Sequence, residues 1–405
     1  MDVHGQRRQG VLGRITLAVL ALLIGASAGA AGNNPFYLTT DRDEIKIMSY
    51  NVLNLFDNVH DEGKSDWTFL PINHPLKKEC AKMRNPWYRE ACEKVDWTPE
   101  RIQIKLGQIK NAISYQGPLP DILAVQEIEN ANITGMLAKE LGYKHFLVTD
   151  SPDGRGIDVA LLYNDDKIEY IEHEEIDATA ALNYPVRNIL LVHFRPRTGR
   201  ILDVIGVYVN HWPAQMISPI KRVETARVLA RAIDQQTTKV GKDNYKVIAL
   251  GDFNLTQVET PNAFHHVITN PYWANAMIDI QDYSEVRRSP YRYQMPPGSY
   301  WISGIDSWRR LDRFAVSQNL VDESGMHVIY DSFRIVGPPE MTKPKAFSNR
   351  SSDFYATSIQ VPDRANPMAD SPKDAGYSDH FPIVMKVKFT ANPNPKKPKE
   401  LDETN

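Results

Sequence analysis

Apolar, β-branched runs separated by turn residues dominate the chain. IKIMSYNVLNLF, DILAVQEI, KHFLVTD, IDVALLYN, RNILLVHF, ILDVIGVYVNH, KVIALGDFN, RRLDRFAVS and FPIVMKVKF each read as a strand. Helical periodicity appears three times. It runs through TPERIQIKLGQIKNAISY, capped by Thr98 with Pro99 at the first helical position, through NITGMLAKELG, and through SPIKRVETARVLARAIDQQ, opened by Ser218 and Pro219. The mixture predicts an α/β fold. Residues 57–97 and 338–378 lack either period and read as loops. Strands continue on both sides of each, so they are expected to be insertions in one domain, and loops this long are often functional.

Composition narrows the class. With 405 residues and 42% hydrophobic content the chain can bury a large core, which excludes disordered and fibrous classes. The first thirty residues combine Arg7, Arg8 and Arg14, an apolar run from Ile15 to Ile24, and the small-residue stretch GASAGAAG. That is the build of a cleaved signal peptide (1–30), because the apolar run is shorter than the ~20 residues a bilayer span needs. A secreted or periplasmic protein with no transmembrane segment after cleavage is expected. At the other end, ANPNPKKPKELDETN (391–405) reads as a disordered tail.

Export bears on the two cysteines. Cys80 and Cys92 stand in a polar, tryptophan-containing segment, and an oxidising compartment lets them pair; two buried thiols are the alternative. The formal charge is −3, and loss of the leader's net +2 leaves about −5. Bulk electrostatics therefore does not favour nucleic acid, and an anionic substrate needs a local basic patch or a bound cation.

The candidate chemistry sits where strands end, which is where open α/β sheets place ligands. SYN ends in Asn51, AVQE in Glu127 and YVNH in His211; GDFN places Asp252 and Asn254 just past another strand. Asp312 in RLDRF, and Asp379 with His380 in SDHFP, complete the series. Singly each is an ordinary strand-end or turn residue. In this order they resemble the endonuclease/exonuclease/phosphatase superfamily, pancreatic deoxyribonuclease-like and of secreted bacterial type, over about residues 44–390.

The resemblance implies a four-layered α/β sandwich, two mixed β-sheets face to face flanked by helices, with the site at one edge. It implies Glu127 as principal ligand of Mg²⁺ (or Mn²⁺ or Ca²⁺), helped by Asn51, with Asp379 near the metal. Asp252 orients or deprotonates the attacking water, Asn254 positions Asp252 or the phosphate, His211 and His380 touch the phosphate, and Asp312 orients His380. The residue types suit this chemistry on their own account. Mg²⁺ takes hard oxygen donors and only one or two carboxylates, and a carboxylate-held imidazole can shuttle protons. One departure matters: an acidic residue found in many relatives two places after the asparagine is Leu53 here, which favours a single ion.

Arg187, Arg155, Asp158 and Arg222 are candidate substrate contacts. His265 and His266 read as a surface pair, and Trp212 and Trp301 as either stacking residues or core. The expected substrate is nucleic acid, DNA or RNA, cut by a monomer without a stable protein partner. A lipid head-group hydrolase, for which WTFLPINHPL is the only weak membrane-entering segment, and a small-molecule phosphatase or phosphodiesterase are the alternatives.

Overall fold

The computed structural model describes residues 34–197, 203–323, 325–347 and 358–389. The expected signal peptide and tail lie outside the described residues. Two six-stranded mixed sheets organise what is described. The first has the order β13 (His327–Ile335), β16 (Ile383–Lys388), β1 (Glu44–Leu55), β2 (Ile122–Ile128), β4 (Asp158–Tyr163), β3 (His145–Val148). The second runs β5 (Ile168–Ile176), β6 (Ile189–Pro196), β7 (Val204–His211), β8 (Tyr245–Asp252), β12 (Asp312–Ser317), β9 (Met277–Asp279). Each sheet has one parallel pair at its centre, β1–β2 and β7–β8.

Central strands are buried on both faces, which is why DVALLY of β4 and KVIALGD of β8 read as nearly unbroken apolar runs. The inner faces meet in one core that includes Ile47, Val125, Val207 and Leu250. Helices α2 (Pro99–Ser114) and α3 (Ala131–Leu141) add Leu106, Ile109, Ile133 and Leu137 to it from the side of the first sheet. Helix α5 (Pro219–Val240) lays Ala226, Leu229 and Ile233 on the outside of the second, beside Trp212 and Phe253. The result is the expected four-layered sandwich. Thr98 caps α2 as predicted, its side chain accepting from Arg101 N, whereas Ser218 makes no side-chain cap on α5.

Strands that the periodicity did not show are edge or short pieces. IEYIEHEEI, the edge strand β5, carries charge on both faces, a device that discourages further pairing. The two aperiodic segments are also more ordered than loops. Residues 57–97 fold into helical turns at Trp67–Phe69 and Pro75–Lys82 and helix α1 (Pro86–Lys94). A Cys80–Cys92 disulfide ties the last two together, and both half-cystines are buried. Within 338–378, β14 (Thr342–Ala346) and β15 (Ser358–Pro362) form a hairpin, and β10 (Tyr300–Ile302) with β11 (Ser307–Arg309) forms another before β12. Two helices of four and five residues, α4 (Thr179–Leu182) and α6 (Ser284–Arg288), complete the described elements used below. No helix among the described residues is long and apolar enough to cross a membrane.

Candidate active site

Strand register brings the polar strand ends together. In the second sheet His211 stands opposite Asp252 in the parallel β7–β8 pair, and Asp312 opposite the same Asp252 in the antiparallel β8–β12 pair. Directly opposite residues in neighbouring strands share a face, so the three form one row at the sheet's rim.

The first sheet contributes from two facing irregularities. Asn51 pairs with Gln126, after which the register shifts between Asn51 and Leu55 on β1, and between Gln126 and Ile128 where β2 meets β4. Glu127 occupies the bulge of β2 at φ 64°, and Leu53 and Asn54 the bulge of β1 at φ 49° and 61°. Left-handed backbone at non-glycine residues costs about 1–3 kcal/mol each and is retained where it aims a side chain. Lys105 of α2 holds the distorted strand, its Nζ donating to the carbonyls of Val52 (2.5 Å), Leu53 (3.4 Å) and Tyr377 (3.0 Å). Burial pushes its ammonium down to about 7, against the pull of Asp379 and Glu127.

Asn51 joins the two sheets, its Nδ2 donating to Glu127 Oε1 at 3.2 Å and to Asp252 Oδ2 at 3.1 Å. Asp252 also accepts from Asn254 N (2.8 Å) and Nδ2 (3.3 Å). Its Oδ2 lies 3.7 Å from His211 Nε2 and 3.8 Å from His380 Nε2. His380 Nδ1 is 2.7 Å from Asp312 Oδ2, which places the proton on Nδ1 and turns Nε2 to the cleft. Ser378 locks the loop before β16 to β1, its Oγ donating to Asn51 O (2.7 Å) and accepting from His380 N (3.2 Å).

The electrostatics separate the two imidazoles. Burial disfavours charge on His380, yet Asp312 and Asp252 outweigh it and push the ring up to about 10, so it is an imidazolium at neutral pH. Burial lowers His211, and Arg187, Arg155 and His380 lower it further, so it stays neutral. Burial raises the Asp252 carboxyl; His380 opposes this and Asp312 reinforces it. Among the described residues, buried His211 Nδ1 and Asp312 Oδ1 find no hydrogen-bond partner.

Glu127 lies 3.7 Å from His211 at the edge of the cleft, and Asp379, which also lines it, lies 3.9 Å from His380. These are hard carboxylate donors, in the number that Mg²⁺ usually takes from protein, so the site fits such an ion. Asn51, expected to help hold the ion, is placed to do so through Glu127. Its Oδ1 accepts from Leu53 N (3.0 Å), because two carboxylates claim its NH₂, so it holds Glu127 in place. Asp252, Asp312 and His380 also bring ligand atoms within 4.8 Å of one another. We assign that closeness to the 2.7 Å hydrogen bond, in which the Nδ1 proton occupies the lone pair a metal would need.

The outer candidates divide. Arg187 is buried at the rim, donating to the carbonyls of His211 (3.2 Å) and Trp212 and to Asp153 (3.1 Å). Arg155 also pairs with Asp153, at 3.0 Å, and reaches the cleft with a half-exposed side chain. Burial alone would raise Asp153; the two arginines overcome this and hold it at about 2. Asp158 does not line the pocket. It is buried and accepts from Thr149 Oγ1 (2.5 Å) and Ser151 N (2.9 Å), fixing the loop that carries Arg155. Arg222 is likewise no substrate contact. It is 1% exposed, pairs with Glu259 at 2.8 Å and donates to the carbonyls of Pro213, Ala214 and Ile217, so every face of the guanidinium is occupied.

Trp212 and Trp301 are core residues, the former packed on Phe253 and the latter on Trp308, and His265 and His266 are exposed on the turn Phe264–Ile268. Asn210 orders the strand end by accepting from Trp212 Nε1 (2.9 Å). Three residues went unnoticed in the sequence: Asp153, Tyr300, whose ring lies 4.8 Å from that of His380, and Arg364, which pairs with Asp379 at 3.1 Å. Aspartate in a glycine turn and arginine in an aperiodic segment carry no positional signal that would have singled them out. Glu127, His211, Asp252, Asn254, Asp379 and His380 open on one cleft of about 1340 Å³, walled by parts of the two insertions, while Asn51 and Asp312 lie behind them.

The sequence profile of the Endonuclease/Exonuclease/phosphatase family matches residues 46–389. No curated protein matches significantly. Among solved structures, a Bacteroides thetaiotaomicron endonuclease/exonuclease/phosphatase family protein is 15% identical, covering 87% of this chain and all of its own, with a TM-score of 0.48. The human Nocturnin catalytic domain with bound sulfate is 17% identical over 87% of this chain and 97% of its own, TM-score 0.48. A mannosyl-6-phosphatase from Bacteroides thetaiotaomicron is 15% identical over 85% of this chain and 100% of its own, TM-score 0.46. With the profile spanning both sheets and every residue of the polar cluster, this chain belongs to the endonuclease/exonuclease/phosphatase family of phosphoester hydrolases.

Proposed function

We propose that the protein is an exported, divalent-metal-dependent phosphodiesterase that cuts nucleic acid by in-line attack of water. The observation that carries this is the convergence on Asp252 Oδ2 of two imidazoles with opposite charge preference and of the Asn51 amide. Glu127 would hold the ion, with Asp379 a further carboxylate of the same cleft, and Asn51 is hydrogen-bonded to Glu127. The chemistry a bound Mg²⁺ supplies, with Mn²⁺ or Ca²⁺ as alternatives, is neutralisation of charge on the nonbridging oxygens. Asp252, raised by burial and steadied by Asn254, orients the water and takes its proton. His380, kept protonated by Asp312, presents Nε2–H to the phosphate, and neutral His211 faces it from the other side. Arg155 and Arg84 on the cleft wall offer a polyanion local positive charge that the chain's negative net charge does not.

A lipid head-group substrate is the second reading. WTFLPINHPL does not support it, since Phe69 lines the cleft wall and Leu70 is buried, but Met216 (83% exposed), Ile217 and Ile220 form an apolar tip beside the cleft. The purified protein is to be incubated with plasmid DNA, RNA, sphingomyelin vesicles and bis-p-nitrophenyl phosphate, with and without EDTA. EDTA-sensitive cleavage of plasmid or RNA is expected; cleavage of sphingomyelin alone favours the second reading, and no hydrolysis anywhere rejects both.

A further inference from the structure

The insertion that walls the cleft turns two large aromatic rings outward. Trp87 is 60% and Tyr88 49% exposed, and they meet edge-on at 4.9 Å, which leaves ring faces free. Both line the cleft that holds the catalytic cluster. Two adjacent rings this exposed at the cleft leave apolar area open to a ligand there.

Their setting is rigid. Asn85 caps α1, its side chain accepting from Trp87 N at 2.9 Å, Pro86 begins the helix, and Cys92 near its end is bonded to Cys80. One arginine bridges the rings to the reaction centre. Arg364 Cζ lies 6.0 Å from the centre of the Trp87 ring, while its guanidinium holds one oxygen of Asp379 at 3.1 Å. The other oxygen of Asp379 is 3.9 Å from His380 Nε2. Arg84 lines the same wall. Flat rings beside a cationic track are how proteins hold single-stranded nucleic acid, each base stacking on an aromatic face while its phosphate meets arginine.

We propose that Trp87 and Tyr88 form a base-stacking subsite for a nucleotide flanking the scissile phosphate of a single strand, with Arg364 and Arg84 following its backbone. The inference rests on the phosphodiesterase reading and narrows its substrate to single-stranded nucleic acid. It is tested by binding, which needs no turnover. Fluorescence anisotropy compares a labelled oligothymidylate with an abasic chain of equal length, on full-length His380→Ala protein in Mg²⁺. The base-bearing chain is expected to bind at least about tenfold tighter. Adding Trp87→Ala and Tyr88→Ala should cut its affinity by about 10- to 100-fold and leave the abasic chain unmoved, whereas Trp87→Phe retains most of the binding. Equal affinity for both chains, or equal loss on both in the alanine variant, overturns the proposal. If the base preference is found but the wild-type protein hydrolyses nothing, the phosphodiesterase reading fails alone. If oligonucleotides are cut without base preference, the stacking subsite fails alone.

Discussion

Asp312 and His380 touch at 2.7 Å across the junction of the two sheets, the carboxylate starting β12 of one and the imidazole preceding β16 of the other. The contact fixes the tautomer and the charge of a ring whose other nitrogen faces Asp252. Asp312→Asn keeps the shape but removes the charge and can turn an NH₂ toward Nδ1. Turnover should fall by about 10²- to 10⁴-fold in protein that still folds and unfolds cooperatively. Steady-state kinetics on bis-p-nitrophenyl phosphate measures it, and a loss under about threefold would remove Asp312 from the mechanism.

Arg222 and Glu259 form a buried ion pair that joins the first turn of α5 to the loop after β8. Glu259→Ala strands the guanidinium among three carbonyls, and breaking such a pair typically costs about 3–5 kcal/mol. Chemical denaturation should show a loss of that order. A loss under about 1 kcal/mol would mean that the pair does not hold the rim.

Glu129 is buried against Asp57, Asp61 and Asp66, and burial first, then those carboxylates, push its carboxyl up to about 9. A raised carboxyl binds its proton in the folded state before the unfolded one. Its contribution is therefore complete below about pH 4.5 and is lost as pH rises toward 9. Glu129→Gln, which keeps an acceptor for Asp57 N, should stabilise the protein at pH 8 by about 1–3 kcal/mol and have no effect at pH 4. Melting curves at the two pH values test this, and equal effects at both would contradict it.

Much of the site was legible because strand ends concentrate it. Asn51, Glu127, His211, Asp252 and Asp312 lie in or at the ends of strands whose apolar runs are plain, and order along the chain did the rest. What stayed hidden depends on contacts between distant segments. Nothing near Glu127 announces a left-handed residue, since the bulge is held by Lys105 from a helix. Arg222 reads as available to substrate because its partner Glu259 is 37 residues away, and Arg364 lies in a segment with no period at all. The acidic edge strand β5 escaped notice because its register comes from β6 and its own residues do not alternate.

The central claim is that Glu127 holds an ion on which phosphodiester hydrolysis depends. The direct measurement is hydrolysis of bis-p-nitrophenyl phosphate by EDTA-treated protein, before and after Mg²⁺, Mn²⁺ or Ca²⁺ is restored, in the wild type and Glu127→Gln. The wild type should be inactive without metal and recover with at least one ion, while Glu127→Gln should need far higher metal and turn over at least about 10²-fold more slowly. Activity that survives EDTA, or a Glu127→Gln protein with the wild type's metal dependence and rate, would contradict it.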